Sequence, residues 1–99
     1  MSKFKITVLK RTFNQDLADE YCFPTSPCPR FVEGQEFIVE RGARPEDFCD
    51  WAWNDLNKVW VVLRHGGDWK GWMKNEKSLI ECCTDGIRPV VFKLELIDG

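Results

Sequence analysis

The sequence contains a single histidine and has no surplus of positive charge. Fourteen lysines and arginines face 16 aspartates and glutamates, which gives a formal net charge of −2. Binding to a phosphate backbone needs a basic face, so this composition argues against nucleic acid as a partner. With only His65 available as a base, a cysteine–histidine hydrolase is also disfavoured.

Long apolar segments are missing as well. No run approaches the length of a membrane span, and the first residues, Met-Ser-Lys-Phe-Lys, lack the apolar core of a signal peptide. Hydrophobic residues still make up 43% of the chain, and no repeat, low-complexity tract or linker divides it. We therefore expect one cytoplasmic domain over residues 1–99 with no membrane partner.

Segments near both ends of the chain alternate apolar and polar residues, which is the period of a half-buried strand. The residues predicted to face inward are Phe4, Ile6, Val8, Val90, Phe92, Leu94 and Leu96. Shorter strands are predicted at 36–40 and 79–83. Asp85-Gly86 is expected to supply a left-handed turn that joins the 79–83 strand to the C-terminal strand as a hairpin.

Residues 45–65 are predicted to form one long amphipathic helix, with Pro45 at its first position and His65 near its C-terminal end. The apolar positions that share one face are Phe48, Ala52, Leu56, Val59 and Leu63. Asp55 falls inside that face. The β-branched run after Lys58 leaves an alternative, in which the helix stops near Asn57 and residues 59–64 join the sheet. The predicted fold class is α+β, with a small, mostly antiparallel sheet that includes both termini and packs against this helix.

Five cysteines in a chain expected to be cytoplasmic indicate thiol or metal chemistry, because disulfides are rare in that compartment and the count is odd. Cys22 and Cys28 bracket a loop stiffened by Pro24 and Pro27, which reduces the entropy of holding two sulfurs in place. Cys49 lies on the apolar side of the predicted helix and would meet that loop. The spacings do not match the standard Cys-x-x-Cys pairs of zinc or iron–sulfur sites, and a small buried hydrophobe is the alternative role for each cysteine.

Cys82 and Cys83 are neighbours on a predicted strand and therefore point to opposite faces. Alternation with Ile80 inward and Glu81 outward selects Cys82 for the site, although the turn that follows could redirect Cys83. His65 would lie ~24 Å from Cys49 along an unbroken helix, so the two cannot share a metal. It is expected to cap the helix C-terminus instead.

The stretch between Gly66 and Met73 places Trp69, Trp72 and Met73 among glycines, in a predicted connection. If these side chains are exposed, they form a surface for a protein partner or a second copy of the chain. The alternative is a loop whose rings fold back over the core.

The C-terminal run Cys-Thr-Asp-Gly-Ile-Arg-Pro-Val-Val-Phe-Lys, residues 83–93, resembles the signature of a family of small uncharacterised proteins from anaerobic bacteria and archaea. Three further places are similar: Cys28 followed by Gly34-Gln35-Glu36-Phe37, Pro45 to Cys49 followed by Trp51-Ala52-Trp53, and Gly66 after the apolar segment. The resemblance implies that Cys28, Cys49 and Cys83 are family-type thiols, and that Cys22 and Cys82 are particular to this protein. It brings no established activity, cofactor or partner.

Two functions of different classes follow. The first is a metal-binding or thiol redox protein, in which Cys28, Cys49 and Cys83 converge, with Cys22 or Cys82 as a fourth ligand for zinc or an iron–sulfur cluster. The second is a non-catalytic interaction or dimerisation module that uses the Trp/Met loop. A third reading, an enzyme with an aromatic pocket lined by Trp53 and Trp60, has no acid–base residues to support it.

Overall fold

The computed structural model of the chain describes residues 3–23 and 26–98, so Pro24 of the proline-containing loop lies outside the described residues. The elements in chain order are β1 (Lys3–Arg11), α1 (Gln15–Tyr21), β2 (Glu36–Glu40), α2 (Asp50–Arg64), β3 (Ser78–Cys82) and β4 (Val90–Asp98). The four strands form one antiparallel sheet in the order β2-β1-β4-β3. The predicted α+β fold, with both terminal strands in the sheet and one long helix packed on it, is confirmed.

The alternation predicted for the terminal strands is confirmed on one face of the sheet. The residues that are at most 1% exposed there are Phe4, Ile6, Val8, Val90, Phe92 and Leu94. Leu96, at the far end of β4, is only partly buried against the same core. This face of the sheet receives α2, whose Ala52, Leu56, Val59 and Leu63 are buried in a period of three to four residues.

Residues 59–64 belong to α2 and not to the sheet, which decides the alternative that the β-branched run left open. The helix ends as predicted. His65 is its C-cap, and the His65 Nδ1 atom lies 2.8 Å from the carbonyl oxygen of Val61, which also accepts the backbone N–H of His65 at 3.3 Å.

The predicted start of the helix at Pro45 is wrong, because α2 begins at Asp50. Asp47 has a φ of 66°, in the left-handed region, and the Phe48 N–H closes a turn onto the Pro45 carbonyl. That turn directs the Phe48 side chain inward, where it is 1% exposed. Burial of one aromatic ring thus outweighs continuation of the helix by a further turn.

The left-handed turn predicted at Asp85-Gly86 is also wrong, since neither residue has a positive φ. Strands β3 and β4 do form the predicted hairpin, but the connection is longer than a two-residue turn. The Asp85 Oδ1 atom accepts hydrogen bonds of 2.9 Å from the backbone N–H groups of Ile87 and Arg88. A side-chain carboxylate therefore organises this loop, which removes the need for a glycine with positive φ.

The Trp/Met loop folds partly back onto the core. Trp69 and Met73 pack against the core cluster, and the N–H groups of Trp72 and Met73 both bond to the Trp69 carbonyl. Trp72 itself is 78% exposed. No helix in the described part of the chain is long and apolar enough to cross a bilayer.

Candidate functional site

Three of the five cysteines line a single cleft of about 500 Å³. They are Cys28 from the loop after α1, Cys49 at the N-terminus of α2, and Cys83 directly after β3. The other residues that line the cleft are Arg30, Phe31, Trp51, Ala52, Thr84, Asp85, Gly86, Arg88 and Val90. Three segments far apart in sequence thus each contribute a cysteine to the lining of one cleft.

Phe31 fixes the first of these segments. Its ring is 1% exposed and meets the rings of Phe48 and Phe92 edge to face, with centroids 5.2 and 5.1 Å apart. The backbone beside it is held by Arg11, whose Nη1 donates to the Cys28 carbonyl at 3.1 Å. Cys28 is therefore held at the cleft by a buried ring on one side and a backbone contact on the other.

Phe48 fixes the second segment in the same way. The Arg44 guanidinium donates to the Phe48 carbonyl at 2.6 Å and pairs with the Asp50 carboxylate at 2.9 Å, so it links the turn to the first residue of α2. Cys49 is the N-cap residue, and its side chain makes no capping hydrogen bond. The thiol is consequently left to the cleft and is half-buried.

Cys83 is the most enclosed of the three thiols, at 8% exposure. Its N–H donates to the Val90 carbonyl at 3.1 Å, and its Sγ accepts a hydrogen bond from the Val90 N–H at 3.3 Å. The backbone bond extends the β3–β4 pairing by one step beyond the last residue of β3. The sulfur is thereby held on the helix side of the sheet.

Alternation predicted that Cys82 and not Cys83 faces inward, and this is wrong. The register pairs Leu79 with Leu94 and Glu81 with Phe92, so Leu79 is buried while Ile80 is 41% exposed. Glu81 was expected to face outward because it is charged. It lies instead at the border of the helix-covered face, where its carboxylate is 3.6 Å from the ammonium group of Lys58 on α2.

Cys82 and Cys22 are both exposed and do not line the cleft. The pKa of the Cys82 thiol is raised by partial burial and by the nearby negative charges of Glu81 and Asp55, with Lys58 acting in the opposite direction. A raised pKa reduces the thiolate fraction and with it nucleophilicity at neutral pH. Cys82 therefore lies outside the cleft that Cys28, Cys49 and Cys83 line.

Asp55, the polar residue inside the apolar face of the helix, ties α2 to the loop that follows Cys83. Its carboxylate accepts from the Thr84 N–H at 2.8 Å and from the Thr84 hydroxyl at 3.1 Å. The indole N–H of Trp51 donates to the same hydroxyl at 2.7 Å. This chain of three side chains holds the rim of the cleft. The only feature of the sequence that pointed to it was an aspartate inside the apolar face of the predicted helix.

Arg88 and Asp85 form the charged wall of the cleft. The Arg88 Nε lies 3.5 Å from Asp85 Oδ2, a local ion pair between residues three apart in sequence. Partial burial acts to raise the pKa of the Asp85 carboxyl, but the N–H groups of Arg88 and Ile87 and the Arg88 charge outweigh it and lower the pKa. Asp85 is accordingly a carboxylate near neutral pH. Sequence reasoning did not place Arg30 or Arg88 at a site.

The predicted metal site had Cys28, Cys49 and Cys83 as ligands and Cys22 or Cys82 as a fourth; the first three line the cleft, and the other two lie outside it. Within residues 3–23 and 26–98, no three histidine, cysteine, aspartate or glutamate side chains are arranged to hold a metal ion. Trp53 and Trp60, the other aromatic site considered, stack near each other with centroids 6.0 Å apart, and Trp60 is 4% exposed. Trp60 belongs to the core, and Trp53 packs against it.

No family model, curated protein or solved structure matches this chain. The family resemblance described from the sequence therefore stays a prediction, and function rests on the geometry of the cleft.

Proposed function

We propose that the protein exchanges thiols with small disulfide molecules in the cleft lined by Cys28, Cys49 and Cys83. The observation that supports this is that three cysteines from three separate segments line one cleft with room for a small molecule. Cys83 is a member of the buried core, and Cys28 and Cys49 pack against that core. Here two of the three are half-buried, so reagents in solvent can reach them.

The three thiols differ in access, and this difference suggests separate roles. Cys28 and Cys49 are the accessible groups that attack a disulfide from solvent. Cys83, enclosed and bonded to the Val90 N–H, acts second. An N–H group directed at the sulfur stabilises the negative charge that the sulfur carries during exchange.

The reaction balances with a small disulfide, R–S–S–R, as the oxidant. The thiolate of Cys28 or Cys49 attacks one sulfur, the S–S bond breaks, and the released RS⁻ takes up the proton that the cysteine lost. The Cys83 thiolate then attacks the mixed disulfide at the protein sulfur and releases the second RS⁻, which takes up the second proton. The protein loses two protons and two electrons, and the disulfide, which takes up both, becomes two RSH molecules. A reducing compartment such as the cytoplasm would drive the reaction in reverse.

The test is oxidation of the full chain by 2-hydroxyethyl disulfide under anaerobic conditions, followed by intact mass and peptide mapping. We expect the loss of two hydrogens and an internal disulfide that joins Cys83 to Cys28 or to Cys49. Cys83→Ser should stop at a mixed disulfide on Cys28 or Cys49. Cys22→Ser and Cys82→Ser are the matched controls, because those thiols are exposed and lie outside the cleft.

Two results would overturn the proposal. The first is oxidation that joins only Cys22 or Cys82, since that chemistry does not use the cleft. The second is a protein that is purified anaerobically with one equivalent of zinc or iron and loses it in the Cys28→Ser, Cys49→Ser and Cys83→Ser variants. That result would assign the same thiols to metal binding, the other use of cysteine that the sequence predicts.

A further inference from the structure

We infer that the cleft selects small disulfides and thiols that carry an anionic group, with a carboxylate as the best fit. This inference rests on the proposed exchange function and names its substrate class. The observation behind it is the pair of guanidinium groups, Arg30 and Arg88, that line the cleft together with the three thiols.

Arg30 contributes a charge that the described structure leaves unneutralised. It is exposed, and no hydrogen bond or ion pair joins its guanidinium to residues 3–23 or 26–98. The neighbouring ring of Phe31 is fully buried, so the backbone that bears Arg30 is fixed in position. A ligand in the cleft would meet this charge at the rim, two residues along the chain from the Cys28 thiol.

Arg88 contributes a second charge, and it keeps free donors. Its side chain is 31% exposed; its buried Nε lies 3.5 Å from Asp85 Oδ2, and its two Nη groups make no hydrogen bond within the described part of the chain. Asp85 lies close by, but its Oδ1 is already bonded to two backbone N–H groups. A guanidinium carries five N–H donors in a planar fork that matches a carboxylate. Arg88 can therefore pair with a ligand carboxylate without giving up Asp85.

The remaining charges near the cleft do not cancel this excess. Of the two acidic groups on α2 nearby, Asp55 is bonded to Thr84 and Asp50 is paired with Arg44. The N-terminal turn of α2 reaches the cleft through Trp51 and Ala52, and the positive end of a helix dipole also favours an anion. The cleft walls thus contain two arginines against one aspartate, in a chain whose net charge is −2.

The test compares three disulfides of matched size: dithiodipropionate, a dianion; 2-hydroxyethyl disulfide, which is neutral; and cystamine, a dication. Rates of exchange at Cys28 and Cys49 are measured by quenched mass spectrometry and divided by the rates with an uncharged cysteine peptide, which removes intrinsic reactivity. We expect the dianion to exceed the dication by about tenfold, the effect of one or two charge pairs at ~4 Å in a water-like medium. Addition of 1 M salt should remove most of this preference.

Variants locate the effect. Arg30→Gln and Arg88→Gln should each reduce the preference at least about twofold, and Arg88→Lys, which keeps the charge, should retain most of it. Arg64→Gln is the control, because it removes the same charge at a site away from the cleft. Arg64 lies over the Trp60 ring at the other end of α2. Equal normalised rates for all three disulfides, or equal losses in Arg88→Lys and Arg88→Gln, would overturn the inference while the exchange function stands. No reaction at the cleft thiols with any disulfide would overturn both.

Discussion

Asp55 provides the sharpest test of how the cleft is built, because a single carboxylate joins the helix to the loop after β3. Its oxygens accept from the Thr84 N–H and hydroxyl at 2.8 and 3.1 Å. Thr84 is exposed, so water competes for both donors, and about 1 kcal/mol for each bond is a reasonable net value. Removal of the carboxylate should therefore cost about 2 kcal/mol in the free energy of unfolding.

The substitution Asp55→Ala also changes helix propensity, and a matched control corrects for this. Alanine gains about 0.5 kcal/mol over aspartate or asparagine inside a helix. Asn54→Ala, at the exposed neighbouring position, should show that gain alone. We expect Asp55→Ala to be destabilised by about 1.5 kcal/mol and Asn54→Ala to be stabilised by about 0.5 kcal/mol, a difference of about 2 kcal/mol.

Urea unfolding followed by far-UV circular dichroism measures this difference, with equal m-values required for the comparison. A gap of about 2 kcal/mol moves the midpoint by about 1 to 2 M. If the two variants differ by less than about 0.5 kcal/mol, the Asp55–Thr84 contact does not stabilise the fold, and the account of the cleft rim is refuted. If Asp55→Ala costs more than about 4 kcal/mol, the residue supports the core and not only the rim.

Three other predictions concern the supports of the site. Phe31→Ala should lower the free energy of unfolding by about 3 to 5 kcal/mol in urea titrations. Val32→Ala removes a side chain that is 66% exposed and should change it by less than about 0.5 kcal/mol. Similar losses in the two variants would contradict the anchoring role of the Phe31 ring. Gly42→Ala should reduce the melting temperature more than Gly34→Ala. Both glycines have positive φ, but only at Gly42 would an added Cβ overlap the buried Trp60 indole. The reverse order would refute this prediction. The pKa of Asp85 is lowered, so the stability that it provides is complete above the ordinary aspartate value of about 3.9 and is lost as the pH falls through the lower folded value. Asp85→Asn should therefore be less stable than the parent at neutral pH and approach it in acid, and a gap that stays constant from pH 7 to pH 2 would contradict the assignment.

The position of Cys83 shows where sequence reasoning reached its limit. Alternation depends on one reference residue, and Glu81 was taken to face outward because it is charged. In the structure its aliphatic part lies at the border of the helix-covered face, and its carboxylate reaches Lys58. The side-chain period of a strand is two, so one wrong reference residue reverses the assignment of every residue, including Cys82 and Cys83.

The start of α2 was missed for a related reason. Pro45 and the acidic residues after it have the local preferences of a helix N-terminus. Phe48, however, gains more by packing among the rings of Phe31, Phe37 and Phe92 than by continuing a helix, and the left-handed Asp47 makes that packing geometrically possible. Local preferences of a few tenths of a kcal/mol are small beside the burial of one aromatic ring.

The sequence by itself determined the α+β class, the four strands and the helical state of most of residues 50–64. It also determined which side chains of the two terminal strands face the core. Those features depend on the periodicity of apolar and polar residues, which is a property of residues close together in sequence. The cleft was decided by the tertiary structure alone: Cys28, Cys49 and Cys83 line it together because buried rings, an extended hairpin register and the Asp55–Thr84 contact bring three distant segments together. The two arginines join them for the same reason, since proximity between loops depends on packing and cannot be read from local pattern.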